Sequence, residues 1–237
     1  MQDKLIFLDT ETTGNEVGTD RLSQVCYKTS AGFRNGYFKP PLPMSVKAMS
    51  VTHITNKMLE DKEPFEGSDM KRDLKGLLKD GILVAHNAVF DIAMLKAEGL
   101  EVSKWICTLR VARHLDKENK IPEYNLQFLR YYLDLEIEGS AHDAEGDVRV
   151  LIGVYERLFA KMREGLDTDE AVIKEMIEIS ARPTLFNLFN FGKHKDKPIA
   201  EVVKTDRAYL EWLLAQKALN PEAEEDWIYT LKHYLKN

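Results

Sequence analysis

Two hydrophobic periods alternate along the first 160 residues, and each period predicts an element. Leu5-Ile6-Phe7-Leu8 is a short apolar run ending in Asp9-Thr10-Glu11, the pattern of a strand whose far end turns polar. Residues 21–28 and 32–38 read as two more strands around a tight turn at Ser30-Ala31-Gly32, so three strands follow one another. Lys39-Pro40-Pro41-Leu42-Pro43 then leaves the sheet, because proline donates no ladder hydrogen bond. Helical spacing over 69–78 feeds Ile82-Leu83-Val84-Ala85, wholly apolar and suited to a buried parallel strand. Residues 90–100 return to helical spacing through Phe90, Met94, Leu95 and Ala97, with Gly99 as the stop. Residues 105–115 predict a short strand running into a helix, and Leu126, Leu129, Leu133 and Leu135 mark an amphipathic helix over 124–135. Val148, Leu151, Ile152, Tyr155 and Leu158 belong to a further helix that starts near Ser140 or His142.

Composition changes this picture little. The 237 residues are 44% hydrophobic and 30% charged, which suits one large domain or a moderate domain with a small addition. No apolar run reaches the length of a membrane span, and the N-terminus lacks the basic-then-apolar order of a signal peptide. Cys26 and Cys107 lie far apart without metal-type spacing, which predicts buried thiols in a reducing cytoplasm. The net charge of −6 speaks against a polyanionic partner only for the chain as a whole, since local charge and bound cations govern phosphate contact.

The candidate chemistry sits where elements end. Residues i and i+2 of a strand share a face, so Asp9 and Glu11 project together. Paired carboxylates repel unless positive charge lies between them; a divalent cation is the simplest partner, and hard oxygen ligands suit Mg²⁺ or Mn²⁺. In isolation an Asp-x-Glu is more often a solvated strand end. Asp91 falls in the first turn of a helix that begins at the carboxyl end of a buried strand, where open α/β sheets bind ligands, although an acid there also complements the helix dipole. His142 precedes the acids Asp143, Glu145 and Asp147, and a histidine held beside them suits a general base.

Asp9-x-Glu11, Asp91 after His86-Asn87, and His142 four residues clear of Asp147 together resemble the DEDDh (DnaQ-like) group of 3′→5′ exonucleases, in order, spacing and element context from Leu5 to about Leu158. The resemblance implies an α/β, ribonuclease H-like fold with a mixed five-stranded sheet flanked by helices. It also implies that Asp9, Glu11, Asp91 and Asp147 hold two divalent cations, Mg²⁺ or Mn²⁺, and that His142 is the general base. Thr10, Thr12 and the Gly14 turn are expected to line the terminal nucleotide, with His53 and Asn87 near it. None of the five principal positions departs from the pattern, which argues against an inactive copy. The implied activity is hydrolysis of DNA from its 3′ end to nucleoside 5′-monophosphates, in repair or recombination. A proofreading subunit of a replicative polymerase and a 3′→5′ exoribonuclease would carry the same motifs, and discrimination at the 2′-hydroxyl is not legible here. A nucleic-acid-binding protein without turnover is disfavoured by the intact set.

Residues 1–165 are therefore expected to form the exonuclease domain, 166–183 a charged helical linker broken at Arg182-Pro183, and 184–237 a small, mainly helical module. That tail resembles the C-terminal module of exodeoxyribonuclease X-type proteins. Within residues 186–198, its segment Phe191-Gly192-Lys193-His194-Lys195 mixes aromatic and basic residues, the combination used to stack bases and track a backbone. Lys193, Lys195 and Lys197 are the candidate accessory DNA contacts, while the aromatics equally suit a small core.

Overall fold

The computed structural model describes residues 2–137, 144–221 and 224–236. Five strands, β1 (Leu5–Thr12), β2 (Leu22–Thr29), β3 (Gly32–Tyr37), β4 (Ile82–Ala85) and β5 (Trp105–Cys107), form one sheet in the order β3-β2-β1-β4-β5. The β1–β2 and β2–β3 pairs are antiparallel, whereas β1–β4 and β4–β5 are parallel. This is the mixed sheet expected. The β2–β3 hairpin turns at Gly32, whose φ of 127° lies in the region that favours glycine.

Alternation along the strands feeds two cores. Leu5, Ile82, Val84 and Ile106 join one cluster, while Ile6, Leu8 and Leu83 join another on the opposite face. The second cluster is closed by α3 (Asp69–Leu78) and α4 (Ala88–Ala97) through Met70, Leu74, Met94 and Leu95. The first is closed by α5 (Thr108–Leu115), α6 (Leu126–Tyr132), α7 (Ala144–Arg163) and α8 (Asp169–Ser180). Two short helices, α1 (Val46–Thr52) and α2 (Asn56–Leu59), lie in the connection after β3; Thr55 caps α2 by accepting from the Met58 amide.

The linker expected at 166–183 is corrected by α8. Val172, Ile173, Met176 and Ile179 are buried in the core beside Val111 and Val154. Ser180 adds a polar tie, its hydroxyl accepting from the Cys107 amide at 2.7 Å, and its carbonyl accepts from Arg110 at 2.8 Å. The chain divides into Met1–Ala181 and Arg182–Asn237. In the second unit α9 (Ile199–Thr205), α10 (Arg207–Lys217) and α11 (Glu225–Lys236) enclose Phe189, Ile199, Val202, Leu210, Leu213, Trp227 and Leu231. No helix among the described residues is long and apolar enough to cross a membrane, and Cys26 and Cys107 are buried free thiols.

Candidate active site

Register places the first two acids. β4 pairs with β1 only as far as Phe7↔Val84, while the antiparallel ladder with β2 continues through Asp9↔Cys26 and Glu11↔Gln24 before shifting between Glu11 and Thr12. Asp9 and Glu11 thus lie on the face that Phe7 also occupies, the face on which Ala144 and Val148 of α7 pack with Cys26. α7 supplies the third acid one turn further along. Carboxylate oxygens of Asp9, Glu11 and Asp147 lie within 4.8 Å of one another.

Asp147 is 8% exposed, and one of its oxygens, Oδ1, accepts a 2.6 Å hydrogen bond from Nε2 of Gln127 on α6. The Gln127 amide is oriented in turn by Arg130, whose Nη1 donates to Gln127 Oε1 at 3.5 Å, while Arg130 Nη2 donates to the Ile137 carbonyl. Sequence reasoning missed Gln127: leucines carry the signal of that helix, and a glutamine beside them reads as solvated. At the start of α7, buried Gln24 on β2 accepts from the Ala144 amide at 3.4 Å.

Asp91 lies outside the 4.8 Å group, in the first turn of α4 and 4% exposed. Its Oδ1 accepts from the Thr10 hydroxyl at 2.8 Å, so that hydroxyl, expected to face a nucleotide, is spent on an acid. Burial pushes the Asp91 carboxyl up to about 7 against the lowering effect of Thr10. No lysine or arginine forms an ion pair with Asp91 among the described residues. Three clustered acids, with a further buried carboxylate that has no counter-ion bonded to Thr10 of the same strand, fit a divalent cation, and the all-oxygen donor set fits a hard one.

The turn before α4 is fixed by two unusual residues. Asn87 takes the left-handed conformation at φ 61°, exposed and with no cap bond from its side chain. His86 is partly buried, with Nε2 donating to the Tyr124 carbonyl at 2.7 Å and Nδ1 accepting from Thr108 Oγ1 at 2.9 Å. Burial drives its pKa down to about 4, so the ring is neutral at pH 7 and this pair of bonds sets its tautomer. The loop after β1 is organised by Asp20, whose carboxylate accepts from the Thr13 hydroxyl at 2.6 Å and the Glu16 amide at 2.8 Å. Gly14 is needed there because a Cβ would stand 2.5 Å from Asp20 Oδ2. Thr12 is buried and donates to the Gly14 carbonyl at 2.6 Å. His53 is exposed, in the left-handed C-cap of α1, with no hydrogen bond or ion pair to the carboxylates among the described residues. His142, the expected base, lies outside the described residues.

Residues 6–155 match the family model described as exonuclease, and residues 189–218 match the exodeoxyribonuclease X-like C-terminal model. The chain belongs to the exonuclease family. Members of that family depend on metal ions, in agreement with the acidic cluster. Exodeoxyribonuclease 10 of Escherichia coli K12 is 30% identical over 236 residues, covering 98% of this chain and 99% of its own. DNA polymerase III subunit epsilon of Treponema pallidum is 30% identical over 164 residues, covering 64% of this chain and 74% of its own. Among solved structures, Exonuclease X in complex with 5′ overhanging duplex DNA superposes with a TM-score of 0.58 at 22% identity, over 74% of this chain and 99% of that one. Exonuclease I of E. coli with a dT13 oligonucleotide gives a TM-score of 0.56 at 21% identity, over 68% and 41%. These likenesses show the ribonuclease H-like exonuclease fold.

Proposed function

We propose that this exonuclease hydrolyses DNA from the 3′ end and releases nucleoside 5′-monophosphates, with Asp9, Glu11, Asp91 and Asp147 holding two divalent cations, Mg²⁺ or Mn²⁺. The observation that carries the reading is the convergence of Asp9, Glu11 and Asp147 within 4.8 Å, with buried Asp91 bonded to Thr10 of the same strand. When bound, such cations supply Lewis acidity, making the attacking water easier to deprotonate and neutralising charge at the phosphate. His142 takes the proton from the water as its oxygen bonds to phosphorus and the P–O3′ bond breaks. Gln127 and Thr10 keep Asp147 and Asp91 in fixed orientations, so little reorganisation is left for the reaction itself. The Thr12–Gly14 turn, with His53 and Asn87, is assigned to the terminal nucleotide.

A repair or recombination setting is favoured over polymerase proofreading by the full-length similarity to Exodeoxyribonuclease 10 and the match at 189–218. The similarity to epsilon subunits covers less of the chain. The test is incubation of the pure protein with 5′-labelled single-stranded DNA or RNA, in Mg²⁺ or in EDTA, alongside His142→Ala. A Mg²⁺-dependent ladder of single-nucleotide steps on DNA, reduced roughly 10²-fold or more in the variant, is expected. Preference for the RNA oligomer would move the assignment to an exoribonuclease, and absence of cleavage on both would refute it.

A further inference from the structure

The second unit uses nearly all its aromatic rings on itself. Phe189 is fully buried and stacks on Trp227 with centroids 5.6 Å apart, and Phe186 and Phe191 pack against the same Trp227. The Phe residues are therefore committed to this core, Phe189 within it and Phe186 and Phe191 packed against it. Trp212 on α10 is different: it is 56% exposed, an uncommon state for the largest apolar side chain. Its neighbour one turn back is Tyr209, with ring centroids 5.7 Å apart and planes 33° from parallel.

Tyr209 is also where the basic loop touches α10. Gly192 approaches so closely that a Cβ would lie 2.7 Å from the tyrosine oxygen, and its φ of 70° independently favours glycine. Lys193 Nζ stands 4.9 Å from the Tyr209 centroid and 2.6 Å from Asp206 Oδ2, which also accepts from His194 at 2.9 Å. Lys193 is thus occupied within the unit. Lys195 and Lys197 are exposed and form no ion pair among the described residues. Residues 182–237 carry nine Lys and Arg against eight Asp and Glu, a net +1, which leaves −7 for residues 1–181. The small unit is therefore the part of the chain whose net charge does not repel a polyanion.

From this juxtaposition we infer that Trp212, backed by Tyr209, against which the loop bearing Lys195 and Lys197 packs through Gly192 and Lys193, is a stacking platform for single-stranded nucleic acid, a second binding surface carried by the smaller unit. An exposed indole and unpaired ammonium groups on a rigid support match the two parts of such a ligand, base faces and phosphates. The inference rests on the proposed nucleic-acid substrate but not on its hydrolysis. It relocates the accessory contact from the motif's phenylalanines and Lys193 to Trp212, Lys195 and Lys197.

The experiment uses the full chain in EDTA, so that binding is read without turnover. Fluorescence anisotropy of labelled dT16 and rU16 would be followed for wild type, Trp212→Ala, Trp212→Phe and Lys195→Glu/Lys197→Glu, with melting temperatures as a check on folding. Loss of one stacked base predicts at least roughly five-fold weaker binding for Trp212→Ala, with much of it restored by Trp212→Phe. The double lysine variant is expected to bind more weakly and to show a shallower salt dependence. Affinities of Trp212→Ala and the lysine variant within two-fold of wild type would overturn the platform, as would a wild type that binds neither oligomer. Mg²⁺-dependent cleavage, measured separately, tells failure of the platform from failure of the exonuclease assignment.

Discussion

Replacing Gln127 by alanine removes the amide that donates to Asp147 Oδ1 at 2.6 Å. A hydrogen bond to an ionised carboxylate contributes about 1.5–3 kcal/mol, and loss of a partner that orients a metal-ligating group costs roughly 10- to 100-fold in metal affinity or activity. The two magnitudes agree, since 1.4 kcal/mol is about a factor of ten. Gln127→Ala is therefore expected to weaken Mn²⁺ binding by calorimetry roughly 10- to 100-fold, with a comparable loss of kcat/KM on a labelled oligomer. Gln127→Glu should be worse than alanine, because it places a second carboxylate against Asp147. Gln127 reaches Asp147 from α6 and takes no part in the leucine core, so the metal-free variant should still fold cooperatively, with a melting temperature lowered by the lost hydrogen bond alone. Mn²⁺ affinity and kcat/KM both within two-fold of wild type, in a folded Gln127→Ala protein, would refute the positioning role.

Asp9→Ala or Asp147→Ala should nearly abolish hydrolysis yet hold or raise the metal-free melting temperature, because each removes one of three clustered negative charges; a collapsed melting temperature would instead assign these acids to the fold. His86 supplies a pH signature. Between its ordinary pKa of 6.5 and its native value of about 4, the unfolded chain takes a proton that the native state refuses, so stability falls as pH drops through that window. At about 1.4 kcal/mol per pH unit, urea denaturation should read roughly 2 kcal/mol less stability at pH 5 than at 6.5, and His86→Gln should flatten the difference; parallel curves for the two proteins would count against it. A chain ending at 165 should fail to fold, whereas one ending at 181 should fold, judged by circular dichroism and urea melts. Losing buried Val172, Ile173, Met176 and Ile179 removes roughly 6–12 kcal/mol of apolar burial, as much as a typical domain's whole stability.

Much of the scaffold was legible because hydrophobic period and turn chemistry agreed. The helix over 69–78 and the strands at 82–85 and 105–107 occur where the pattern put them, and the hairpin strands agree within a residue. The helix expected over 124–135 is shorter, Leu126–Tyr132, for local polar reasons. Tyr124 gives its hydroxyl to Asp116 and its carbonyl to His86, Asn125 caps the helix, and Asp134 turns left-handed at φ 52°. The charged stretch 166–183 read as a linker because acids and a lysine are interspersed through it and Arg182-Pro183 breaks it, yet the spacing of Val172, Ile173, Met176 and Ile179 is a helical stripe that burial decides. Asp91 was ambiguous in sequence between dipole complement and ligand; its burial against Thr10 comes from packing, which one-dimensional spacing does not contain. Gln127 carried no signal at all.

The separation of the acids along the chain follows from where β1 sits. Among the described strands it is the one with an antiparallel neighbour on one edge and a parallel neighbour on the other. The parallel partner ends its pairing at Phe7↔Val84, because β4 must turn at His86-Asn87 to start α4, while β1 runs on to Thr12 against β2. The overhanging end is thus held by one ladder, and its free edge meets the first turn of α4, where Thr10 bonds Asp91. α7, packing across β1 and β2 through Ala144 and Val148, brings Asp147 to the face bearing Asp9 and Glu11. A sheet parallel on both sides of β1 would extend the ladder over these residues and use that edge for backbone pairing. The mixed topology therefore has a chemical consequence: it leaves a half-unpaired strand end on which Asp9 and Glu11 meet Asp147, while Thr10 of the same strand end holds Asp91.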